Sequence, residues 1–392
     1  GLYGVGVTDG GDFTMTGGKI EAGWFAVAGN GNYKTQNSII NITDGELIST
    51  ADYAVYLPQS GTTTISGGKV YGAAGGVCIQ RGTLNVEGTA LITSKGTGST
   101  GNWGDGTGGL DCAAINVSGA YGIATVNIKG GTLIAEAKSL ITEGTTYTPV
   151  INVTGGTFSD PSVLKYMATN ATVDIKLLSN INIAKTELAT GYILNAANAT
   201  ANLNLNGHDI INSSETADAT PFTQIFTVQN GTLNISGNGN VKCDASATAK
   251  DDGYRMVIEA RGYGTVNIHG GSYYNTQKLN TQIDLIYARE NGKINIYGGT
   301  FESGKYGTPN NDTDGRYWVL NLKNTDKNTA SIQVSGGTFI NFNPANPNMD
   351  DNESYLVTGY EVTRDGSVYT AAHKVGDGRK EYIVGQTSQE NR

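Results

Sequence analysis

Three segments of the chain place cations at matching positions. Aligning GYRMVIEAR (253–261), DLIYAR (284–289) and GRYWVLNLK (315–323) puts Arg261, Arg289 and Lys323 in one file, with Glu259, Tyr287 and Asn321 two residues earlier. With Ile258, Ala260, Ile286, Ala288, Leu320 and Leu322 pointing inward, period-two alternation sends both files outward. Three like charges one repeat apart repel unless water or an anion lies among them, which makes the file a candidate site for uronate or sulfate groups of a polysaccharide. The competing reading, which we favour, is a solvated face on which Glu259 and Glu290 offset the cations. Trp103, in KGTGSTGNWGDGTGG (95–109), is a candidate sugar-stacking residue, the alternative being a ring folded back on its own Gly-rich loop. The candidate ligand-binding set is therefore Arg261, Arg289, Lys323, Glu259, Tyr287 and Trp103.

No catalytic set emerges beside it. A hydrolase needs two or three carboxylates on adjacent strands, about 5–9.5 Å apart, whereas the strand text is dominated by Asn, Thr and Ser, which do not transfer protons near neutral pH. A lyase would need a carboxylate nest for Ca²⁺, but only Glu259 lies beside the arginines; Asp251, Asp252, Asp312 and Asp314 lie in loops. His208 and His269 sit beside Gly turns and His373 near the tail, each read as a solvated corner residue. No phosphate loop, nucleophile elbow or zinc spacing occurs, so neither a cofactor nor a metal site is assigned.

What must position these residues is a repeat. The pattern φ-Asn-φ followed by Gly-Gly recurs as TVNIKGGTL (125–133), VINVTGGTF (150–158), TVNIHGGSY (265–273) and KINIYGGTF (293–301). Full Gly-Gly turns begin at Gly17, Gly67, Gly130, Gly155, Gly270, Gly298 and Gly336, with weaker copies at Gly45, Gly88, Gly207 and Gly237, eleven in all. Each copy reads as three short strands with no helix between them. A single copy cannot bury its Val/Ile/Leu row, but stacked copies pair strand on strand at about 4.8 Å and bury a continuous column. Spacings mostly between 21 and 33 residues fit a three-sided coil and are too short for a propeller blade. The expectation is all-β: a right-handed parallel β-helix of about 11–12 coils, its hand following the bias of parallel crossovers. Asn41, Asn85, Asn116, Asn127, Asn152, Asn204, Asn234, Asn267 and Asn295 would form an outward amide ladder, a structural device before a ligand site. Their N-x-[ST] strings arise from the repeat and imply no glycosylation.

The array divides at two places. Residues 1–158 form a first array; 159–200 form a break, where Asp160-Pro161 and VLKYMA suggest a short capping helix; 201–342 form a second array. Residues 343–392 read as a C-terminal cap, with YEVTRDGSVYT as a hairpin around Arg364-Asp365-Gly366 that covers the open end, and a loose polar tail from about 376. Insertions at 95–109, 244–253, 275–282 and 303–314 follow the post-Gly strand and would project from one side, a common arrangement for a binding face.

Composition sets outer bounds. With 392 residues, 56 Gly and 16% charged residues, the chain can bury a long core. A net charge of −9 offers no basic stripe and argues against nucleic acid. No apolar run is long enough to span a membrane. Cys78, Cys112 and Cys243 read as buried small hydrophobes. The chain opens inside a repeat, so a leader and earlier coils, or a capping domain, are expected before residue 1.

The φ-x-φ-x-GGTF coils, the LNLNG restart (203–207) and the ending from Phe342 to Tyr360 resemble repeat-rich, pectin-lyase-like β-helix proteins. Such proteins occur on the surfaces of gut bacteria and in their phages, often as adhesin-like proteins, and the resemblance covers nearly the whole chain. It implies an extracellular or cell-surface location and a non-catalytic, adhesin-like scaffold that binds glycans or a cell-surface partner along its outer face. The same fold hosts polysaccharide lyases, glycoside hydrolases and phage tail-fibre segments, which stand as the alternatives.

Overall fold

The computed structural model describes the chain except at residues 30–36, 101–106, 144–145, 184–190, 213–221, 244–253, 276–282, 304–316, 348–352 and 375–392. Trp103, most of the proposed insertions and the polar tail thus lie outside the described residues.

The fold is all-β and built from large, mostly parallel sheets. Each repeat contributes three strand positions: one before φ-Asn-φ, φ-Asn-φ itself, and one after the Gly turn. In the first half, the leading strands (Tyr3–Gly6, Phe25–Ala28, Tyr53–Leu57, Gly75–Ile79, Ala113–Val117 and Lys138–Thr142) make a six-stranded sheet of their own. The other two positions join an 18-stranded sheet, where Asn127 pairs with Asn85 on one side and Asn152 on the other. In the second half, leading and φ-Asn-φ strands share that large sheet, and the post-Gly strands form the third sheet, from Ile181–Ile183 to Thr338–Ile340.

Between the halves the strand order slips by one position. Thr157–Phe158, a post-Gly strand, pairs in parallel with Thr172–Lys176, whose next neighbour is a φ-Asn-φ segment. The large sheet therefore runs through the break, and one apolar core extends from Val7 to Ala371. The capping helix is present but is a 3₁₀ helix, Pro161–Tyr166, with the Asp160 carboxylate accepting from the Ser162 N–H as its N-cap.

Two features of the repeat explain its residues. In the Gly-Gly turn the second glycine takes positive φ (+73° at Gly68, +101° at Gly337), while a Cβ on the first would collide with the carbonyl of the preceding unit, Thr43 for Gly67 and Tyr297 for Gly336. In the leading strands, two adjacent residues enter the core before alternation resumes: Ala54 and Val55, then Leu57; Val257 and Ile258, then Ala260. Inside the third sheet, Tyr273, Phe301 and Phe339 stack in register with ring centroids 5.0 Å apart at each step. All three are fully buried, worth about 1.5–3 kcal/mol per side chain. At the C-terminal end, strands Tyr360–Asp365 and Val368–His373 form the expected hairpin, the latter antiparallel to Thr338–Ile340, so the cap closes the third sheet.

Candidate functional site

The file read from sequence is assembled as aligned. Thr227, Glu259, Tyr287 and Asn321 are register partners on successive leading strands, on the side away from the core. Arg261, Arg289 and Lys323 follow two residues later. The cations of the file are partly exposed, at 31%, 25% and 43% for Arg261, Arg289 and Lys323, and Glu259 and Glu290 offset them as expected, but the carboxylate row beneath is covered. The Glu259 side chain is only 3% exposed, and Asp284, Thr227, Gln224 and Asn321 are also buried. Sequence alternation shows which side a residue faces, not what lies over that side.

The charges meet partners within the chain. Arg289 Nε donates to Glu259 Oε1 at 2.7 Å, and Gln224 Nε2 donates to Oε2 at 3.3 Å, while Arg261 Nε stands 3.9 Å from Oε2. Arg289 Nη1 reaches Glu290 Oε1 at 2.5 Å. Glu290 takes positive φ (60°), which lets its Oε2 accept from the Gly262 N–H at 2.9 Å and its own N–H donate to Asp326 Oδ2 at 2.7 Å. Lys323 Nζ lies 3.3 Å from the same Asp326 oxygen. The repulsion among the cations is therefore offset by carboxylates of the chain itself, Glu259, Glu290 and Asp326.

Titration behaviour follows from this network. Burial opposes the Arg289 charge, but the hydrogen bond and charge of Glu259 overcome it and leave the guanidinium above its ordinary value. Burial, reinforced by Asp284, pushes the Tyr287 phenol up to about 12. The Glu290 N–H holds the Asp326 carboxyl below its usual value, with Thr325 and Lys323 assisting. Both oxygens of the Glu259 carboxylate are engaged, Oε1 by Arg289 and Oε2 by Gln224.

The amide ladder forms in two runs. Asn152 donates to Asn127 (3.0 Å) and Asn127 to Asn85 (3.0 Å); in the second half Asn295, Asn267, Asn234 and Asn202 each donate to the preceding member at 2.8–2.9 Å, ending on Asp174. Three assignments change. Asn41 stands between Thr14 and Thr64, so its register neighbours are hydroxyls and not amides. Asn202, not Asn204, is the ladder member, because NLNLN (202–206) offers two registers and the structure pairs Asn202 with Asn234. Asn116 is buried on a leading strand, where it donates to Glu143 Oε2 at 2.6 Å.

Sequence reasoning missed a second apolar cluster and a cleft. Phe25, Ala28, Tyr53, Tyr56 and Cys78 pack on the outer side of the six-stranded sheet, with Trp24 and Leu110 against them. Tyr53 donates to the Asp111 carbonyl at 2.5 Å, and Thr107 donates to Asp52 at 2.9 Å. The three cysteines are buried and form no disulfide. The cleft, of about 570 Å³, opens where the halves join. His269 lies at a corner, stacked at 4.7 Å on Tyr297. Among the described residues, no group of three or more His, Cys, Asp or Glu is placed to hold a metal ion, and no helix is long and apolar enough to cross a membrane.

Compared with protein-family models, curated proteins and solved structures, the chain finds no match. Its function must be argued from its own geometry.

Proposed function

We propose that the chain is a right-handed parallel β-helix of the pectin-lyase-like kind, serving as a non-catalytic, extracellular, adhesin-like scaffold that binds glycans. The observation that carries this reading is the unbroken large parallel sheet, with amide ladders displayed along it and the charged file consumed by internal pairs. Parallel strands in one sheet are joined by right-handed crossovers almost without exception, which supports the hand. Each ladder amide spends one N–H and one oxygen lone pair on its neighbours and keeps others for a ligand. Many weak polar contacts repeated along a rigid surface supply affinity by avidity without a deep pocket.

A glycan array probed with the whole chain tests the reading, alongside a turnover screen for unsaturated-sugar absorbance and new reducing ends. Binding without turnover is the expected result; turnover on any acidic polysaccharide would replace the scaffold with a lyase or hydrolase.

A further inference from the structure

Two regularities of the second half end at the same repeat. On the outer side of the φ-Asn-φ strands, Asn234, Asn267, Asn295 and Gln333 are register partners, and the corner residues two positions later run Ser236, His269, Tyr297, Ser335. The amide chain links Asn295 to Asn267 at 2.8 Å and goes no further: among the described residues nothing donates to Asn295 Oδ1, and the exposed amide of Gln333 makes no hydrogen bond. The ring file stops there as well. One face of Tyr297 lies on His269, with centroids 4.7 Å apart and planes 10° from parallel, so its other face turns toward the next repeat. There the short side chain of Ser335 bends back to the Ile296 carbonyl at 3.4 Å and leaves the level above the ring unfilled. In the core, by contrast, Tyr273, Phe301 and Phe339 fill every level of the same three repeats at 5.0 Å. Tyr297 is consequently 50% exposed.

The step has the height of one strand spacing, about 4.8 Å, at the near end of the roughly 4.5–7 Å between packed ring centroids. A ring resting on Tyr297 stands edge-on to the sheet at the level of Ser335. Its rim then meets Asn295 Oδ1, an acceptor, and the Gln333 amide, which both donates and accepts. A pyranose divides its surface in this way, with C–H groups on its faces and hydroxyls around its rim. A nucleobase does so too, but in a nucleic acid it comes with phosphates that a chain of net charge −9 repels. The contacting groups, a phenol ring and two amides, are uncharged. Lys293, the cation of the same strand, is four residues before Tyr297, roughly 13 Å along an extended chain. Residues 265–275, 283–303 and 317–347 are described without a gap, so both repeats of the step are described at every position that faces it.

We propose that the step above Tyr297 binds one ring of an uncharged pyranose glycan, stacked on the open face of Tyr297 with its hydroxyls on Asn295 Oδ1 and the Gln333 amide. This rests on the glycan-binding reading and gives it a place and a ligand class.

The test is a saturation-transfer NMR titration of the full chain with cellotetraose, xylotetraose and mannotetraose, and with sorbitol, a polyol that keeps the hydroxyls and lacks the ring. The same titrations are run on Tyr297→Ala, Ser335→Leu, Gln333→Ala and a control, Tyr263→Ala, which removes a ring 75% exposed but off the step. Binding of at least one of the three oligosaccharides over sorbitol is expected, unchanged between low and high salt. It should weaken about tenfold or more in Tyr297→Ala and in Ser335→Leu, which keeps the ring but fills the level above it. Gln333→Ala should weaken it severalfold and Tyr263→Ala not at all. Binding that is equal in Tyr297→Ala and Ser335→Leu, each folded by circular dichroism, or that is lost only in Tyr263→Ala, overturns the step and leaves the scaffold reading intact. Sorbitol bound as well as the oligosaccharides, or binding of charged glycans alone on a broad array, does the same. Absence of binding to any glycan on that array overturns both.

Discussion

In the first half, the outward file of the leading strands runs Ala28, Tyr56, Cys78, Asn116; in the second, the equivalent file runs Thr227, Glu259, Tyr287, Asn321. Most of these side chains are shielded from water. The first half does so with an aromatic cluster, Phe25 stacked on Tyr56 at 4.7 Å, and the second with a carboxylate held by a guanidinium. The same backbone position therefore supports apolar and ionic covering alike. What differs is how each half should respond to cavity formation, charge removal and pH.

The largest expected effect is on the apolar side. Phe25→Ala should cost about 3–5 kcal/mol in denaturant unfolding, because the ring is fully buried against Tyr56 and Tyr3, and the loss should not vary with salt. A loss below about 1 kcal/mol would mean that the cluster is an ornament of the surface and not a second core. On the ionic side, Glu259→Ala should cost about 1.5–3 kcal/mol, because Arg289 loses its buried partner while keeping Glu290, and the Gln224 amide loses its acceptor. Adding Arg289→Met to that variant should restore part of the stability; no recovery would show that the carboxylate acts through Gln224 and not through the ion pair. Away from both coverings, Asn234→Ala should cost only about 1 kcal/mol, the worth of a ladder link, measured by the same unfolding assay.

Proton linkage sharpens the contrast further. The Tyr287 phenol is raised from its ordinary 10.0 to about 12, so the folded state holds that proton where the unfolded chain releases it. Stability from this group is full below pH 10 and is lost as pH rises toward 12. Tyr53 in the first half is raised too, chiefly by burial, so alkaline loss is common to both halves. Asp326 is lowered from 3.8, and its contribution is present above that value and lost as pH falls below it. Acid sensitivity at this position should vanish in Asp326→Asn while the alkaline limb remains, read from thermal melts across pH.

Strand register was legible wherever Gly-Gly followed φ-Asn-φ, because the turn permits one alignment: Asn127 over Asn85 and Asn295 over Asn267 are where the repeat puts them. Legibility failed where the text was degenerate, as at NLNLN (202–206), and where the answer depended on segments distant in sequence. Nothing in GYRMVIEAR reports that Glu259 is covered. The one-position slip was hidden as well, since the order of strand types along the chain is the same before and after it. Only the pairing of Thr157–Phe158 with Thr172–Lys176 reveals the change. Of the candidate site residues, the structure gathers Arg261, Arg289, Lys323, Glu259 and Tyr287 into one file, and Trp103 falls outside the described residues.

That slip also redirects the surface. Segments 95–109 and 244–253 both follow a post-Gly strand, yet that strand belongs to the large sheet in the first half and to the third sheet in the second. The strands that precede them therefore stand on different sheets, and the two amide runs, Asn85 to Asn152 and Asn202 to Asn295, lie on opposite sides of the slip. Under the scaffold reading, a straight polymer lying along one run would not stay in file with the other, so the ladders act as two separate contact stripes, with the cleft at the point where one gives way to the other.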